Sequence, residues 1–461
     1  MLVRGLSQRL DFAYRGSYSR RNFFVPESEF ACCLWYFLLL KHTSRCKTII
    51  ERRCLLHFET ADYCIKAKGG NFLSTFTSRD IIHVDPSICK GCDHCTSVCP
   101  TRAIHGTIGE KHRIDHRKCV NCGQCLINCP FGAISDLSAL DTLVQALNDP
   151  NKYVVIQVAP AVRVALGEEF GMQPGTNVKG KMFAALRQLG FDQVYDTEFA
   201  ADLTIMEEGT ELIHRIYNYA GVAGFEESGP LPQFTSCCPA WIKYAEDRYP
   251  HILPHISSAK SPQQMFGAIA KTYAAQKLDV DPAKMYSVSV MPCTAKKYEC
   301  DRPEFIASGY KDVDVVITTR ELANLIKQQG IDFRNLNDEE ADRLIGSSTG
   351  AATIFGVTGG VMEAALRTAY ELLSGKTLGK IEFKKVRGLK PIREATVEIP
   401  VKDLGVTVPV NVCIVHGLKH VNGIIEDVLA GRSKYHFIEV MNCPGGCING
   451  GGQPIRHEMY A

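Results

Sequence analysis

CKGCDHCTSVCP (Cys89–Pro100) and CVNCGQCLINCP (Cys119–Pro130) share one formula, C-x2-C-x2-C-x3-C-P. Three thiolates spaced by two residues wrap a tight loop around three corners of an iron–sulfur cube, and the fourth, held off the loop by the following proline, reaches the other cluster. The spacing therefore assigns Cys89, Cys92, Cys95 and Cys129 to one [4Fe–4S] cluster, and Cys119, Cys122, Cys125 and Cys99 to a second. A pair of zinc sites would leave thiols over and has no use for the prolines. The two runs form one unit, an α+β ferredoxin-like two-cluster domain expected over residues 81–137. Such a unit carries single electrons, so the rest of the chain is expected to do redox chemistry.

Around that unit the composition is ordinary. The chain has 461 residues, 45% of them hydrophobic, enough for two or three cores. Lys and Arg (52) nearly cancel Asp and Glu (50), and no long block of like charge appears, so nucleic acid is not indicated as a partner. The unusual count is 20 cysteines in a long chain that is not a small secreted scaffold, which favours metal over disulfides.

Upstream, residues 1–24 carry Arg4, Arg9, Arg15, Arg20 and Arg21, several serines and one acidic residue, Asp11, the composition of an organelle transit peptide. The apolar run FACCLWYFLLL (Phe30–Leu40) falls short of the roughly 20 residues a membrane span needs, and no span is expected. Glu27 and Glu29 before it, and no small-residue cleavage site after it, argue against a secretory signal. Residues 25–80 stay unassigned, because Cys32, Cys33, Cys46, Cys54 and Cys64 show no ligand spacing.

Downstream, residues 138–461 alternate β-branched runs with amphipathic stretches: YVVIQVAP, GKMFAALRQLGF, YSVSVMPC, then VDVVITT followed by ELANLIKQQG. This is the pattern of an α/β catalytic domain, of two lobes with mainly parallel sheets. In such folds chemistry gathers at the carboxyl ends of strands. Three apolar runs end there in cysteine: PQFTSCC (Cys237, Cys238), SVSVMPC (Cys293) and FIEVMNCPGGC (Cys443, Cys447). Five thiols are thus expected in one crevice, and four suffice for a third cubane. The glycines of CPGGCINGGGQP are expected to let backbone approach a large inorganic object. STGAATIFGVTGG (Ser348–Gly360) lacks the Gly-Lys-Ser/Thr of a phosphate loop and reads as a loop leading into the helix VMEAALRTAYELL.

FTSCCPAW, MPCTAKKYE and EVMNCPGGCINGGGQP, in that order behind a two-cluster unit, resemble the three signature segments of iron-only ([FeFe]) hydrogenases. The resemblance covers residues 80–455 and extends to APAVRVALGEEFG and SSAKSPQQ. It implies that Cys238, Cys293, Cys443 and Cys447 hold the cubane of an H-cluster, with Cys447 also bridging to a two-iron subcluster that carries CO, CN and azadithiolate ligands. It implies a hydrogenase, reducing protons to H2 reversibly by heterolytic chemistry at an open position on iron. Lys296, the Ala159–Pro160 turn and Gln263 are implied to meet the cyanides, and Met291 and Met441 to pack on the two-iron centre. Cys237 is implied to exchange the proton with the bridging amine, and Glu208, Ser257, Glu211 and Arg215 to carry it outward. Without the resemblance, Lys296 reads as a surface lysine, the methionines as core filler, and Glu208, Glu211 and Arg215 as a solvated helical stripe with a Glu211–Arg215 pair.

The resemblance also implies ferredoxin as electron partner and dedicated maturation proteins. An oxygen-sensitive cluster behind an arginine-rich leader suits a hydrogenosome or mitochondrion-like organelle, with a plastid as the alternative. Residues 25–80 lack the cysteine spacing of a two-iron cluster, so electrons are expected to enter at the ferredoxin-type clusters. The chain stops at IRHEMYA, where single-chain relatives continue into a helical tail. Two readings stay open: a separate small subunit supplies that cover, or the gene product is short. Against the hydrogenase stand an iron–sulfur assembly protein, which keeps the cubane ligands without the two-iron centre, and a hydrogen sensor, in which Cys237 would be replaced.

Overall fold

In the computed structural model the described residues are 80–455, apart from 344–345, 377–389 and 403–404. The leader expected at residues 1–24, the five cysteines before residue 80 and all of IRHEMYA after Ile455 lie outside them. The described residues all belong to one compact unit.

The paired cysteine runs build a small pseudo-symmetric layer. Strand β1 (Ile82–Val84) precedes the first run and helix α1 (His94–Val98) closes it. Strands β2 (Ile104–His105) and β3 (Arg113–Ile114) form an antiparallel pair between the runs. Helix α2 (Gln124–Ile127) and strand β4 (Ile134–Asp136) follow, and β4 pairs antiparallel with β1. Both cysteine loops take the same backbone course: Gly91 and Asn121, then Asp93 and Gly123, are left-handed, with φ of 67°, 55°, 68° and 69°. Gly, Asn and Asp are the residues that tolerate this region, so each loop can turn twice within seven residues.

A four-stranded sheet of order β6-β5-β8-β9, parallel throughout, comes next. Its strands are β5 (Tyr153–Val158), β6 (Gln193–Asp196), β8 (Met285–Met291) and β9 (Val315–Thr318). Near-continuous Val and Ile in these strands mark a sheet covered on both faces, and Ile156, Val288, Val290 and Ile317 are fully buried against Phe183, Leu186 and Leu322. The strands finish level, with Val158 beside Asp196 and Val290, and Met291 beside Thr318.

Helix α3 (Glu198–Tyr219) then crosses to a second four-stranded sheet of order β10-β11-β12-β7. Strands β7 (Gln233–Phe234), β11 (Val406–His416) and β12 (Phe437–Met441) run parallel, while β10 (Ile392–Val401) forms a long antiparallel pair with β11. Helix α4 (Gly360–Ser374) packs with α3 on this sheet, sealing Leu212, Met362 and Leu366 against Val412, Ile414 and Phe437. The loop reading of residues 348–360 holds, with short helical turns at Gly350–Thr353 and Ile354–Gly356 before α4.

Candidate active site and cluster-binding cysteines

The cysteine runs cross as their spacing requires. Cys89, Cys92, Cys95 and Cys129 line one cavity, with His112 and Pro130. Cys99, Cys119, Cys122 and Cys125 line another. The fourth cysteine of each run is fixed by its own backbone: the Ala103 N–H donates to Cys99 Sγ at 3.2 Å and the Ala133 N–H to Cys129 Sγ at 3.3 Å. Among the described residues no three His, Cys, Asp or Glu side chains close on a point as a single metal ion requires; each set stands around its cavity instead. Burial pushes some of the thiols up, Cys95 and Cys119 to about 11 and Cys122 to about 12, whereas Cys89, whose burial is outweighed by hydrogen bonds from His112 and Gly91, is held below the usual range. Thiolates there need the charge of bound metal, which fits a cluster.

Strands β7, β8 and β12 each deliver cysteine at their carboxyl ends. Cys237 and Cys238 follow β7, Cys293 follows β8, and Cys443 and Cys447 follow β12. The sets converge: Cys443 feels the charges of Cys293, Cys238 and Cys447, and Cys447 those of Cys293 and Cys238. Burial raises Cys293 and Cys447 to about 12 and Cys237 well above the usual thiol range. Four thiols, Cys443 buried and the other three half-buried, with no other cation than Lys296 among the groups acting most strongly on them, suit a cubane.

Lys296 belongs to the pocket and not to the surface. It lies on the helix Ala295–Cys300, and its ammonium donates to the Cys237 carbonyl at 3.1 Å and to Glu299 Oε2 at 3.0 Å. Gln263 donates to the Lys296 carbonyl and to Glu299, leaving its own Oε1 buried without a partner among the described residues. Ala159 packs with Met291 in the first-sheet core, followed by the half-buried Pro160. Met441 packs with Cys237 and Phe355, with Cys447 at the edge of that cluster.

The polar line behind Cys237 forms two segments. Glu208 is the charged side chain acting most strongly on Cys237. Glu208 Oε1 accepts the Ser236 N–H at 2.9 Å and lies 3.0 Å from Ser236 Oγ, which also lies 2.6 Å from the Ala259 carbonyl oxygen. Both Ser236 groups donate to Glu208 Oε1, and both bonds favour the carboxylate. Burial outweighs them, pushing Glu208 up to about 7. In the second segment Ser257 Oγ donates to Glu211 Oε2 at 2.6 Å, and Arg215 donates to Glu211 Oε1 at 2.6 Å. Glu211 also accepts from the N–H of the exposed Ser258, so this segment reaches the surface. Ser236 was absent from the sequence reading; its position beside Cys237 was its only signal.

The glycines after Cys447 also stand against backbone. A Cβ on Gly450 would stand 2.0 Å from the Pro292 carbonyl oxygen, and one on Gly451 2.2 Å from that of Cys122. They let three backbone segments meet, which binds the cysteine loops to one another. Gly446, at φ 103°, lies against Thr358 in the same way. Glu439 also escaped the sequence reading. Fully buried in β12, it accepts the Gly359 and Met362 N–H groups at 2.6 and 2.7 Å and so holds the turn that supports Gly446.

Known proteins are similar to this chain. The chain is 52% identical over 376 residues to the periplasmic [Fe] hydrogenase large subunit of Nitratidesulfovibrio vulgaris, spanning 81% of this chain and 86% of that one. It is 50% identical over 386 residues to the NADP-reducing hydrogenase subunit HndD of Solidesulfovibrio fructosivorans, covering 81% of this chain but 64% of that protein. Protein NAR1 of Arabidopsis thaliana is 34% identical over 358 residues, 75% of this chain and 74% of its own length. A solved variant of the [FeFe]-hydrogenase HydA1 from Chlamydomonas reinhardtii superposes with a TM-score of 0.60 at 42% identity, over 69% of this chain and 85% of that one. Residues 88–133 match the 4Fe-4S dicluster domain. Because residues 152–451 match the iron only hydrogenase large subunit, C-terminal domain, behind that dicluster unit, the chain belongs to the iron-only hydrogenase family.

Proposed function

We propose that this chain is a hydrogenase that reduces protons to H2 reversibly with electrons from ferredoxin. The supporting observation is the buried thiol of Cys237, set between the four-thiol crevice and Glu208. Cys238, Cys293, Cys443 and Cys447 would hold the H-cluster cubane, with Cys447 shared with the two-iron subcluster. Bound there, the two-iron centre supplies an open coordination position that polarises hydrogen for heterolytic cleavage. Lys296 brings positive charge to a dry pocket, suited to anionic cyanide ligands. Gln263 contributes an unpaired amide oxygen, and Ala159, Pro160, Met291 and Met441 its shape.

Cys237 would pass a proton to Glu208, whose carboxyl titrates near neutrality and can therefore both take and release it. Ser236 holds that carboxyl, and Ser257, Glu211 and Arg215 continue to the surface. The eight dicluster cysteines would hold two clusters that supply one-electron carriers, with Cys122 of the second set close to Cys443. The two sheets would act as two lobes closing on this crevice. The arginine-rich leader supports delivery to a hydrogenosome-like organelle, or to a plastid, with maturation proteins supplying the two-iron subcluster.

The likeness to the cytosolic iron-sulfur assembly component 3 of Bos taurus, 33% identical over 362 residues, favours a second reading, an assembly protein that holds cubanes alone. Hydrogen evolution from reduced viologen, by the chain expressed anaerobically with hydrogenase maturation enzymes, separates the two. We expect activity that falls at least about 100-fold in Cys237→Ala with iron content unchanged. A protein loaded with three cubanes that releases no gas would support the assembly reading instead.

A further inference from the structure

Asn442 stands between two cluster sites. It follows β12, precedes Cys443 and is 2% exposed. Its backbone N–H donates to the Cys238 sulfur, its side-chain amide donates to Cys122, and Nδ2 lies 3.8 Å from Cys443 Sγ. Three sulfurs from two sites thus share one residue, while among the described residues Oδ1 has no partner. A carboxamide carries both of its N–H donors on nitrogen, so with Nδ2 on the sulfur side one donor is available to each site.

An N–H donated to a thiolate ligand stabilises the added electron of a reduced cluster and makes its potential more positive. Resting on the cluster assignment above, we propose that Asn442 sets the potentials between which an electron passes from the Cys122 cluster to the Cys443 cluster, by donating a hydrogen bond to each. In that step the Cys122 cluster is oxidised by one electron and the Cys443 cluster reduced by one, with no bond made or broken. Asn442 is a positioning residue, acting through the sulfurs. The backbone donor to Cys238 is independent of the side chain and survives substitution.

The test is an EPR-monitored redox titration of the cluster-loaded full chain, wild type against Asn442→Ala and Asn442→Asp. In the alanine variant both midpoints should move negative, with the reduced-to-oxidised ratio at a fixed reductant falling about tenfold, about 59 mV for one electron. Aspartate keeps the shape but has no donor, and should move the midpoints at least as far. If the alanine variant loses iron, the isosteric aspartate decides alone. Wild-type midpoints in the aspartate variant would reduce Asn442 to packing and overturn the inference. A wild-type protein without a third cubane signal would instead overturn the cluster reading on which it rests.

Discussion

Gly451 approaches Cys122 so closely that a Cβ on it would meet the Cys122 carbonyl oxygen at 2.2 Å and the Gly123 Cα at 2.5 Å. Both obstacles are backbone, which cannot swing aside as a side chain can. Here the loop after Cys447 rests directly on the inner ferredoxin-type loop, held also by Gln124 Nε2 donating to the Asn449 carbonyl at 2.8 Å. Gly451→Ala should force the two loops apart, at a cost of about 1–3 kcal/mol. The expected outcome is a lower unfolding temperature and reduced iron per chain, read by calorimetry and iron assay. Full iron content and wild-type stability would mean that the contact is slack.

The contrast between these glycines and the cysteines shows what a sequence can disclose. The eight dicluster cysteines were legible, crossing included, because ligand spacing within a run is local geometry. Cys237, Cys238, Cys293, Cys443 and Cys447 were legible as ends of apolar runs, since parallel strands bring their carboxyl ends together. The proton line rested on family resemblance; a helical stripe alone suggested a solvated face, whereas Glu208 and Arg215 are buried. Residues whose partners lie far along the chain stayed hidden. Glu439 binds groups nearly 80 positions earlier, Asn442 reaches Cys122 in another segment, and the β10–β11 pair carries no turn signal that was recognised.

Asp136 joins the dicluster layer to the catalytic part. It accepts from Lys297 at 2.8 Å and from Arg320 at 2.7 Å, and Arg320 also donates to the Gly451 and Gln453 carbonyls at 2.7 and 2.6 Å. Burial alone would raise its pKa, but the two cations outweigh it and hold the carboxyl below its usual range. A depressed carboxyl contributes stability that is full above its unfolded pKa and is lost as pH falls through the folded one. Asp136→Asn removes the carboxylate partner of Arg320 and one of the two of Lys297, which keeps Glu321 at 2.7 Å, and should cost about 2 kcal/mol at neutral pH. The difference between variant and wild type should shrink on acidification below pH 3.8, the ordinary value for this group. Unfolding midpoints measured across pH test this; a neutral-pH midpoint equal to wild type would refute it.

Glu208→Gln separates the proton-carrying role from the structural one. Glutamine with its carbonyl at the Oε1 position still accepts from the Ser236 N–H and hydroxyl, so the local bonding survives while proton release does not. Hydrogen evolution should fall about 100-fold or more with cluster content intact. The pH dependence of stability should change as well. Burial lifts Glu208 from 4.5 to about 7, so between those values the unfolded chain releases a proton that the folded chain keeps, and stability declines as pH rises. That loss is on the order of 3 kcal/mol and complete above about pH 7. Glu439, also pushed up to about 7, contributes a decline in the same window and remains in the variant. The glutamine protein should therefore lose the Glu208 contribution to that decline between pH 4.5 and 7 and gain relative stability at neutral pH. Retained activity, or an unchanged slope, would remove Glu208 from the relay and return its proton to a purely structural account.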